Sequence, residues 1–155
     1  MKKIWIITIA LFLQGCAIAM GPKFSGYKEI EGETAQLYIL RTENGKPFDQ
    51  WSAGRTGHYP TMLVNGTDIG QLKRGGYLVR TVKPGPVLVE TETSFNWPLP
   101  PHRIKLNAEA GKRYFVQLNT GFNGFSGTGL VVGVSFVPVK EDIALPLLKE
   151  LTLSD

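Results

Sequence analysis

The segment Tyr77-Leu-Val-Arg-Thr-Val-Lys-Pro-Gly-Pro-Val-Leu-Val-Glu-Thr-Glu-Thr93 indicates the fold class most clearly. Its two runs of Val, Leu and Thr, residue types enriched in β-strands, flank the turn residues of the Lys83–Pro86 segment. In the second run the apolar residues and threonines alternate with Glu90 and Glu92, so one face of the strand is expected to be buried and the other to face solvent. The segment therefore predicts two strands joined by a turn.

The sequences on either side predict further strands. The runs Thr61–Val64 and Thr67–Gln71 flank Asn65-Gly66, which is the strongest short-range signal for a β-hairpin. Other strands are predicted at Ala35–Arg41, where Leu37 and Ile39 share a face, and at Arg103–Asn107, Arg113–Leu118 and Leu130–Val137. The last of these is almost wholly apolar, which is typical of a strand covered on both faces.

One short helix is predicted near the carboxyl terminus. Ala144–Leu151 has helical spacing at Leu147, Leu148 and Leu151, and Pro146 would suit the first turn. With about seven to eight short antiparallel strands before it, the chain is predicted to be an all-β, sandwich-like domain of the immunoglobulin or jelly-roll type.

The composition agrees with a single β-rich domain. The chain has 155 residues, of which 19% are charged and 28 are Gly or Pro, so long solvated helices are disfavoured. One cysteine excludes an internal disulfide and any zinc site built from several thiolates. We expect a signal peptide over residues 1–15, a lipidated tether over residues 16–33 and one β-sandwich domain over residues 34–155.

The amino terminus has the pattern of an export signal. A basic start at Lys2 and Lys3 is followed by ten residues, 4–13, of which only Thr8 is polar. Leu13-Gln14-Gly15-Cys16 then resembles a bacterial lipobox, in which the peptide bond between Gly15 and Cys16 is cleaved and the Cys16 thiol is acylated. The alternatives are a buried apolar segment or a retained membrane helix reaching Met20, although this run is shorter than the roughly 20 residues that a spanning helix needs.

The resemblance to a lipoprotein signal implies a location in the bacterial cell envelope. In such lipoproteins a residue other than Asp after the acylated cysteine usually permits sorting to the outer membrane, and here that residue is Ala17. We therefore expect a lipoprotein anchored by its acyl chains, such as palmitate, on the periplasmic side of the outer membrane. Residues 17–34, with Gly21-Pro22 and Gly26, are expected to form a loosely ordered tether.

Nucleic-acid binding is excluded by charge and by pattern. Removal of Lys2 and Lys3 with the signal lowers the count of Lys and Arg from 17 to 15, against 13 Asp and Glu, which leaves a net charge of about +2. The basic residues form short pairs beside turns, and they do not form a stripe interleaved with aromatic residues.

Landmarks spread over residues 34–139 resemble the bacterial lipoproteins and exported proteins grouped as domain-of-unknown-function family 2846. They are the strand Ala35–Arg41, the stretches Met62–Gly66, Ile69–Leu72 and Gly75–Tyr77, the turn Val82–Gly85 and the segment Leu106–Val116. These motifs are glycine turns and apolar strands. The resemblance therefore implies a β-sandwich-like domain and no assigned activity.

The candidate binding residues are aromatic side chains in two predicted loops. Trp51, His58 and Tyr59 lie in the long polar loop Asn44–Pro60, and Phe95 and Trp97 precede a Pro-rich break. A glycine-rich connection, Gly121–Gly129, carries Phe122 and Phe125, which could touch a partner or a membrane.

No catalytic, cofactor or metal site is predicted. His58 and His102 have no ligand-like spacing, Glu90 and Glu92 have no feature that would separate their pKa values, and the glycine-rich segment lacks the Lys of a phosphate loop. We expect a non-enzymatic, lipid-anchored module that binds an envelope protein or cell-wall material. The alternatives are a small-molecule or lipid carrier with a barrel-like cavity and, less favoured, an envelope hydrolase.

Overall fold

The computed structural model describes residues 18–42, 59–95, 97–126 and 129–154, with backbone only for residues 122–126 and 129–132. Within these ranges the chain forms nine strands and one helix: β1 (Ala35–Arg41), β2 (Thr61–Val64), β3 (Thr67–Gln71), β4 (Gly76–Val82), β5 (Gly85–Glu92), β6 (Arg103–Ala108), β7 (Arg113–Ser126), β8 (Gly129–Val139), α1 (Glu141–Glu150) and β9 (Thr152–Leu153).

The strands form two sheets, which confirms the all-β, sandwich-like fold with a short carboxyl-terminal helix. The five-stranded sheet has the order β8-β7-β1-β4-β9, and the four-stranded sheet has the order β3-β2-β5-β6. The expectation of purely antiparallel strands is wrong at two places, because β1 pairs with β7 and β4 pairs with β9 in parallel. The strands do not close into a barrel, so the barrel-like cavity proposed for a carrier is absent from the described fold.

The Pro-Gly segment at residues 83–86 carries the chain from one sheet to the other. Strand β4 lies in the five-stranded sheet and β5 in the four-stranded sheet, so the two predicted strands exist but do not pair with each other. Gly85 has a φ of +115°, a conformation that glycine adopts far more readily than other residues. The sequence pattern thus predicts the two strands correctly, but it does not show that they belong to different sheets.

The inner core fills the space between the sheets. On β1 the side chains of Leu37 and Ile39 point into it together, as predicted. The four-stranded sheet contributes Met62, Val64, Val87 and Val89 on one face, and Glu90 lies on the opposite face, where it forms an ion pair with Arg103 at 2.7 Å.

The other face of the five-stranded sheet is also covered. The cover consists of α1 and of the amino-terminal segment, residues 18–34. Together they bury an outer core, which consists of Tyr38, Leu40, Tyr77, Phe115, Ala144, Leu148 and Leu151, with Phe24 and Tyr27 packed against it. Every residue of β1 is therefore buried, because alternate side chains enter the inner and outer cores. The domain has three layers: the cover, the five-stranded sheet and the four-stranded sheet.

The helix begins earlier than its apolar spacing predicts. It starts at Glu141, so Pro146 lies in its second turn, and the placement of this proline in the first turn is wrong. Glu141 and Asp142 occupy the first turn, where carboxylates are favoured by the helix dipole. Ala144 and Leu148, one helical turn apart, form the buried face.

Strand β8 differs from its prediction as a strand covered on both faces. It is the edge strand of its sheet, and Val137 is exposed on its outer face. The glycine-rich segment Gly121–Gly129 was expected to be a connection, but most of it extends β7 and β8 into one long antiparallel ribbon with a register shift between Phe122 and Gly124. Glycine is compatible with extended backbone as well as with loops. The high glycine content of this segment therefore does not distinguish a strand from a connection.

The Asn65-Gly66 turn is confirmed as a two-residue hairpin connection. Val64 pairs with Thr67, and both turn residues have positive φ, +50° for Asn65 and +76° for Gly66. The Asn65 side chain also accepts a hydrogen bond of 2.8 Å from the backbone N–H of Leu88 on β5. The turn therefore joins β2 to β3 and is also hydrogen-bonded to β5.

We expect Gly66→Val to lower the free energy of unfolding by about 1 kcal/mol or more, since a β-branched residue resists positive φ. Open space surrounds the position that a Cβ at residue 66 would occupy, so backbone strain and not a clash is the cause. Gly121→Val is the control, because that glycine is equally open but has no positive φ. Urea unfolding of the three proteins tests the assignment, and equal stability of Gly66→Val and the parent would contradict it.

Candidate functional site

The amino-terminal segment is bound along the edge of the five-stranded sheet. Ile18 forms a bridge with Arg74, and the N–H of Ala19 donates to the carbonyl of Arg74 at 2.9 Å. Further along, the N–H of Leu153 on β9 donates to the carbonyl of Pro22 at 2.8 Å. The expectation of a loosely ordered tether over residues 17–34 is therefore wrong for residues 18–24, which are hydrogen-bonded to the sheet.

A glycine permits the close approach of this segment to the sheet. A Cβ on Gly76 would lie 2.8 Å from the Cβ of Ala19 and 2.9 Å from the carbonyl oxygen of Lys73. Ala19 is itself buried, so the first described residues of the chain belong to the packed structure. Ile18, the residue before Ala19, is the first residue that the structure describes.

Aromatic and polar contacts hold the rest of the segment on the outer face of the sheet. Phe24 packs edge-on against Tyr77 and Tyr38, with ring centroids 5.7 and 6.3 Å apart. The guanidinium of Arg113 lies 4.7 Å above the ring of Tyr27 and donates to the carbonyl of Lys28 at 3.1 Å. Phe24 and Tyr27 are therefore part of the packed outer layer of the domain.

Burial determines the ionisation of the tyrosines in this layer. Desolvation, followed by the negative charge of Glu141, raises the pKa of Tyr27 to about 12. Desolvation also raises the pKa values of Tyr38 and Tyr77. All three phenols are therefore protonated at neutral pH, and their arrangement suits packing and not general-base chemistry.

The end of the sandwich near Ile18 also holds the second predicted aromatic loop. Phe95 is 97% exposed, whereas Trp97 is only 1% exposed. The indole ring of Trp97 faces the guanidinium of Arg41, which is buried 5.5 Å from the ring centroid at the end of β1 and donates to the carbonyl of Leu72 at 3.1 Å. The prediction of Trp97 as a partner-contacting residue is wrong, because this ring closes the end of the core.

The first predicted aromatic loop is described only at its end. Tyr59 is half-buried, and the ammonium of Lys73 lies 5.9 Å from its ring centroid. Trp51 and His58 lie outside the described residues, as do Gly15 and Cys16, and the side chains of Phe122 and Phe125 are not described. Partner binding by Tyr59 and Phe95 stays a prediction.

A groove opens on the side of the sandwich where the two sheets separate. It has a volume of about 280 Å³ between β6 of one sheet and the β7–β8 pair of the other. Its wall includes Leu106, Tyr114 and Pro138, and charged residues at the groove include Lys105, Lys140 and Glu141. Sequence patterns could not reveal this site, because its lining residues come from strands whose relative placement depends on the sheet order.

Within residues 18–42, 59–95, 97–126 and 129–154, no three His, Cys, Asp or Glu side chains lie close enough together to hold a metal ion. His102 is half-buried, and its backbone N–H donates to the Thr91 hydroxyl at 2.9 Å, which fixes the connection after β5. The absence of an enzymatic activity remains a prediction.

The architecture defines a two-sheet β-sandwich domain whose outer face is covered by a helix and an amino-terminal segment. The chain belongs to the family of proteins of unknown function DUF2846, whose family model matches residues 31–129. Neither the curated proteins nor the solved structures include a significant match to this chain. The matched region begins just before β1 and ends where β8 begins, so the segment 18–30 and α1 lie outside it.

We expect Trp97→Ala to lower the free energy of unfolding by about 3–5 kcal/mol, the usual cost of removing a buried tryptophan ring. Its matched control is Phe95→Ala two residues away, which removes an exposed ring and is expected to leave stability within about 0.5 kcal/mol of the parent. Equilibrium unfolding monitored by far-ultraviolet circular dichroism measures both. A similar stability for the two variants would show that Trp97 does not close the core.

Proposed function

We propose that this protein is a lipoprotein of the bacterial cell envelope, anchored through acylated Cys16, whose β-sandwich serves as a binding module. The observation that carries the proposal is the sequence Leu13-Gln14-Gly15-Cys16 after a short basic and apolar leader. The thiol provides the nucleophile for lipid transfer, and Gly15 is the small residue that cleavage requires. Membrane lipid is thus the first proposed partner.

The position of Ile18 in the fold supports this anchoring arrangement. Ile18, two residues after Cys16, forms a backbone bridge with Arg74, so the packed domain lies within two residues of the proposed acylation site. Among the described residues, no helix has the length and apolar character needed to cross a membrane. Two or more acyl chains would hold the protein stably, since one chain gives only marginal binding.

We further propose that the module binds an envelope protein or cell-wall material on the periplasmic side of the outer membrane, without catalytic activity. The support is indirect: the fold offers a groove, and the net charge near +2 after signal removal does not favour nucleic acid. Ala17 after the acylated cysteine supports the outer-membrane destination.

Cys16→Ser removes the thiol that is alkylated, so lipid transfer and the specialised cleavage should both fail. Intact mass spectrometry of the parent protein from bacterial membranes should show a chain beginning at residue 16 with the added mass of acyl groups. The variant should keep its leader and carry no acyl mass. An unmodified parent chain that begins at Met1 would contradict the lipoprotein proposal.

A second candidate function is the binding of a small amphipathic ligand in the groove. One observation favours it: an apolar wall containing Leu106 and Tyr114 lies beside charged residues that are positive in sum, namely Lys105, Arg113, Lys140 and Glu141, which is a combination suited to an apolar body with an anionic head. The volume of about 280 Å³ lies near the lower limit of ordinary ligand sites, so a small ligand or part of a longer one would fit.

Binding of anilinonaphthalene sulfonate, a fluorescent apolar anion, tests the groove. We expect the parent to enhance its fluorescence and Leu106→Trp to abolish the enhancement, because the larger ring fills the groove. Leu63→Trp is the control, since Leu63 is on the same sheet but outside the groove lining. Loss of the signal in neither variant, or in both, would place the dye elsewhere.

A further inference from the structure

We propose that the end of the sandwich formed by Ile18–Met20, the Leu72–Gly75 turn and Phe95 lies against the lipid surface, and that the groove faces away from it. This inference rests on the proposed anchoring through Cys16 and adds a defined orientation to it. A flexible tether would leave the domain free to rotate. The observed binding of the amino-terminal segment to the sheet removes that freedom.

The position of Ile18 sets the maximum distance between the anchor and the domain. Two residues of fully extended chain span at most about 7 Å, so Cys16 cannot be farther than this from the position of Ile18. Ile18 is fixed by its bridge to Arg74, and Ala19 by its hydrogen bond to the same residue. An acylated Cys16 therefore brings the Arg74 side of the domain to the headgroup layer.

The strand register brings Phe95 to the same end as Ile18. Arg74 follows β3, whose last residue Gln71 pairs with Thr61, the first residue of β2. Thr61 also pairs with Glu92, the last residue of β5, and Phe95 comes three residues later. Residues 72–75 and 93–102 are thus connections at one end of the sandwich.

The surface at this end has the composition expected for contact with lipid. Met20 is 76% exposed, Phe95 is 97% exposed and Ile18 is 44% exposed, which is unusual for large apolar side chains. Lys73 and Arg74 add positive charge, and the described connections 18–20, 72–75 and 93–102 contain no Asp or Glu, although Glu92 ends β5 nearby and Glu43 and Asp49 occur in the sequence between β1 and β2. Basic residues near an apolar contact favour anionic lipid headgroups.

The opposite end differs in charge. Glu29, Glu31 and Glu33 precede β1 and Glu109 precedes β7, while Lys28, Lys112 and Arg113 lie beside them, so this end carries many charges of both signs. Carboxylates are repelled by the negative surface of a bilayer and are costly to bury in it. Among the described residues, contact of this end with a bilayer would therefore desolvate more charged groups than contact of the end with Ile18 and Phe95, which favours the same orientation as the position of the anchor.

The β7–β8 ribbon leaves the body of the sheet at the proposed membrane end. Strand β7 runs parallel to β1, whose register with β7 ends at Leu40 and Gln117, and beyond that point β7 continues with β8. No charged residue occurs from Tyr114 to Val139. The ribbon can therefore meet the headgroup region without desolvating a charge.

This orientation changes where a soluble partner can bind. A lipid-facing end hides Phe95 and its neighbours from periplasmic molecules. The groove includes Arg113 at the start of β7 and Lys140 after β8, and the Phe115–Val139 pair beside them is the β7–β8 pair farthest from the proposed membrane end. A ligand or partner would thus approach from the side that stays open to the periplasm.

The orientation is tested with the acylated full-length protein in vesicles of phosphatidylethanolamine and phosphatidylglycerol. A single reactive thiol is introduced by Phe95→Cys or Met20→Cys at the proposed contact, or by Glu109→Cys at the opposite end, and is labelled with a polarity-sensitive fluorophore. Acylated Cys16 does not react, since its sulfur is in a thioether. We expect a blue shift and quenching by spin-labelled lipid at residues 20 and 95, with neither at residue 109.

The outcomes separate this inference from the proposal on which it rests. Failure of the parent to float with the vesicles, together with a mass lacking acyl groups, would overturn the lipid anchor itself. Flotation of an acylated protein with equal quenching at all three positions would retain the anchor and overturn the orientation. Quenching only at residue 109 would reverse it. Unfolding midpoints close to that of the parent confirm that the labelled variants are folded.

Discussion

The burial of β1 on both faces is the constraint on which the rest of the structure depends. Tyr38 and Leu40 point away from the inner core, so a simple two-sheet sandwich would leave them exposed. Each large apolar side chain contributes about 1.5–3 kcal/mol on burial, which makes an open outer face costly. Helix α1 and the amino-terminal segment provide the cover, and both lie outside the region 31–129 that the family model matches. The complete domain is therefore larger than the family match.

The amino-terminal segment also provides a hydrogen-bond partner for a buried polar side chain of β1. Gln36, the buried polar residue on the outer face of β1, donates to the carbonyl of Glu29 at 3.1 Å and accepts from Tyr38 at 3.2 Å and Arg113 at 3.3 Å. Its polar groups need these partners, since unpaired buried amides cost free energy. A segment that satisfies the sheet in this way cannot also act as a free linker. Packing thus determines how close a proposed anchor at Cys16 lies to the domain.

Much of the fold could be predicted from the sequence because its signals are local. The Asn65-Gly66 hairpin and the strand at residues 35–41 follow from turn chemistry and apolar runs. The failures concern long-range partners. Trp97 looks like a loop aromatic until Arg41, distant in sequence, is placed beneath it, and Val137 looks like a core residue until β8 proves to be an edge strand. The candidate groove was likewise beyond prediction, since it exists only where separate strands meet.

The two ends of the sandwich differ for reasons that begin in the sequence and become visible only in the fold. Acidic residues such as Glu31 and Glu109 lie in connections at one end, and Lys73, Arg74 and exposed apolar residues lie at the other. Neither group forms a long run along the chain, so composition alone shows only a formal net charge of +4. The strand register sorts them, because successive turns alternate between the ends.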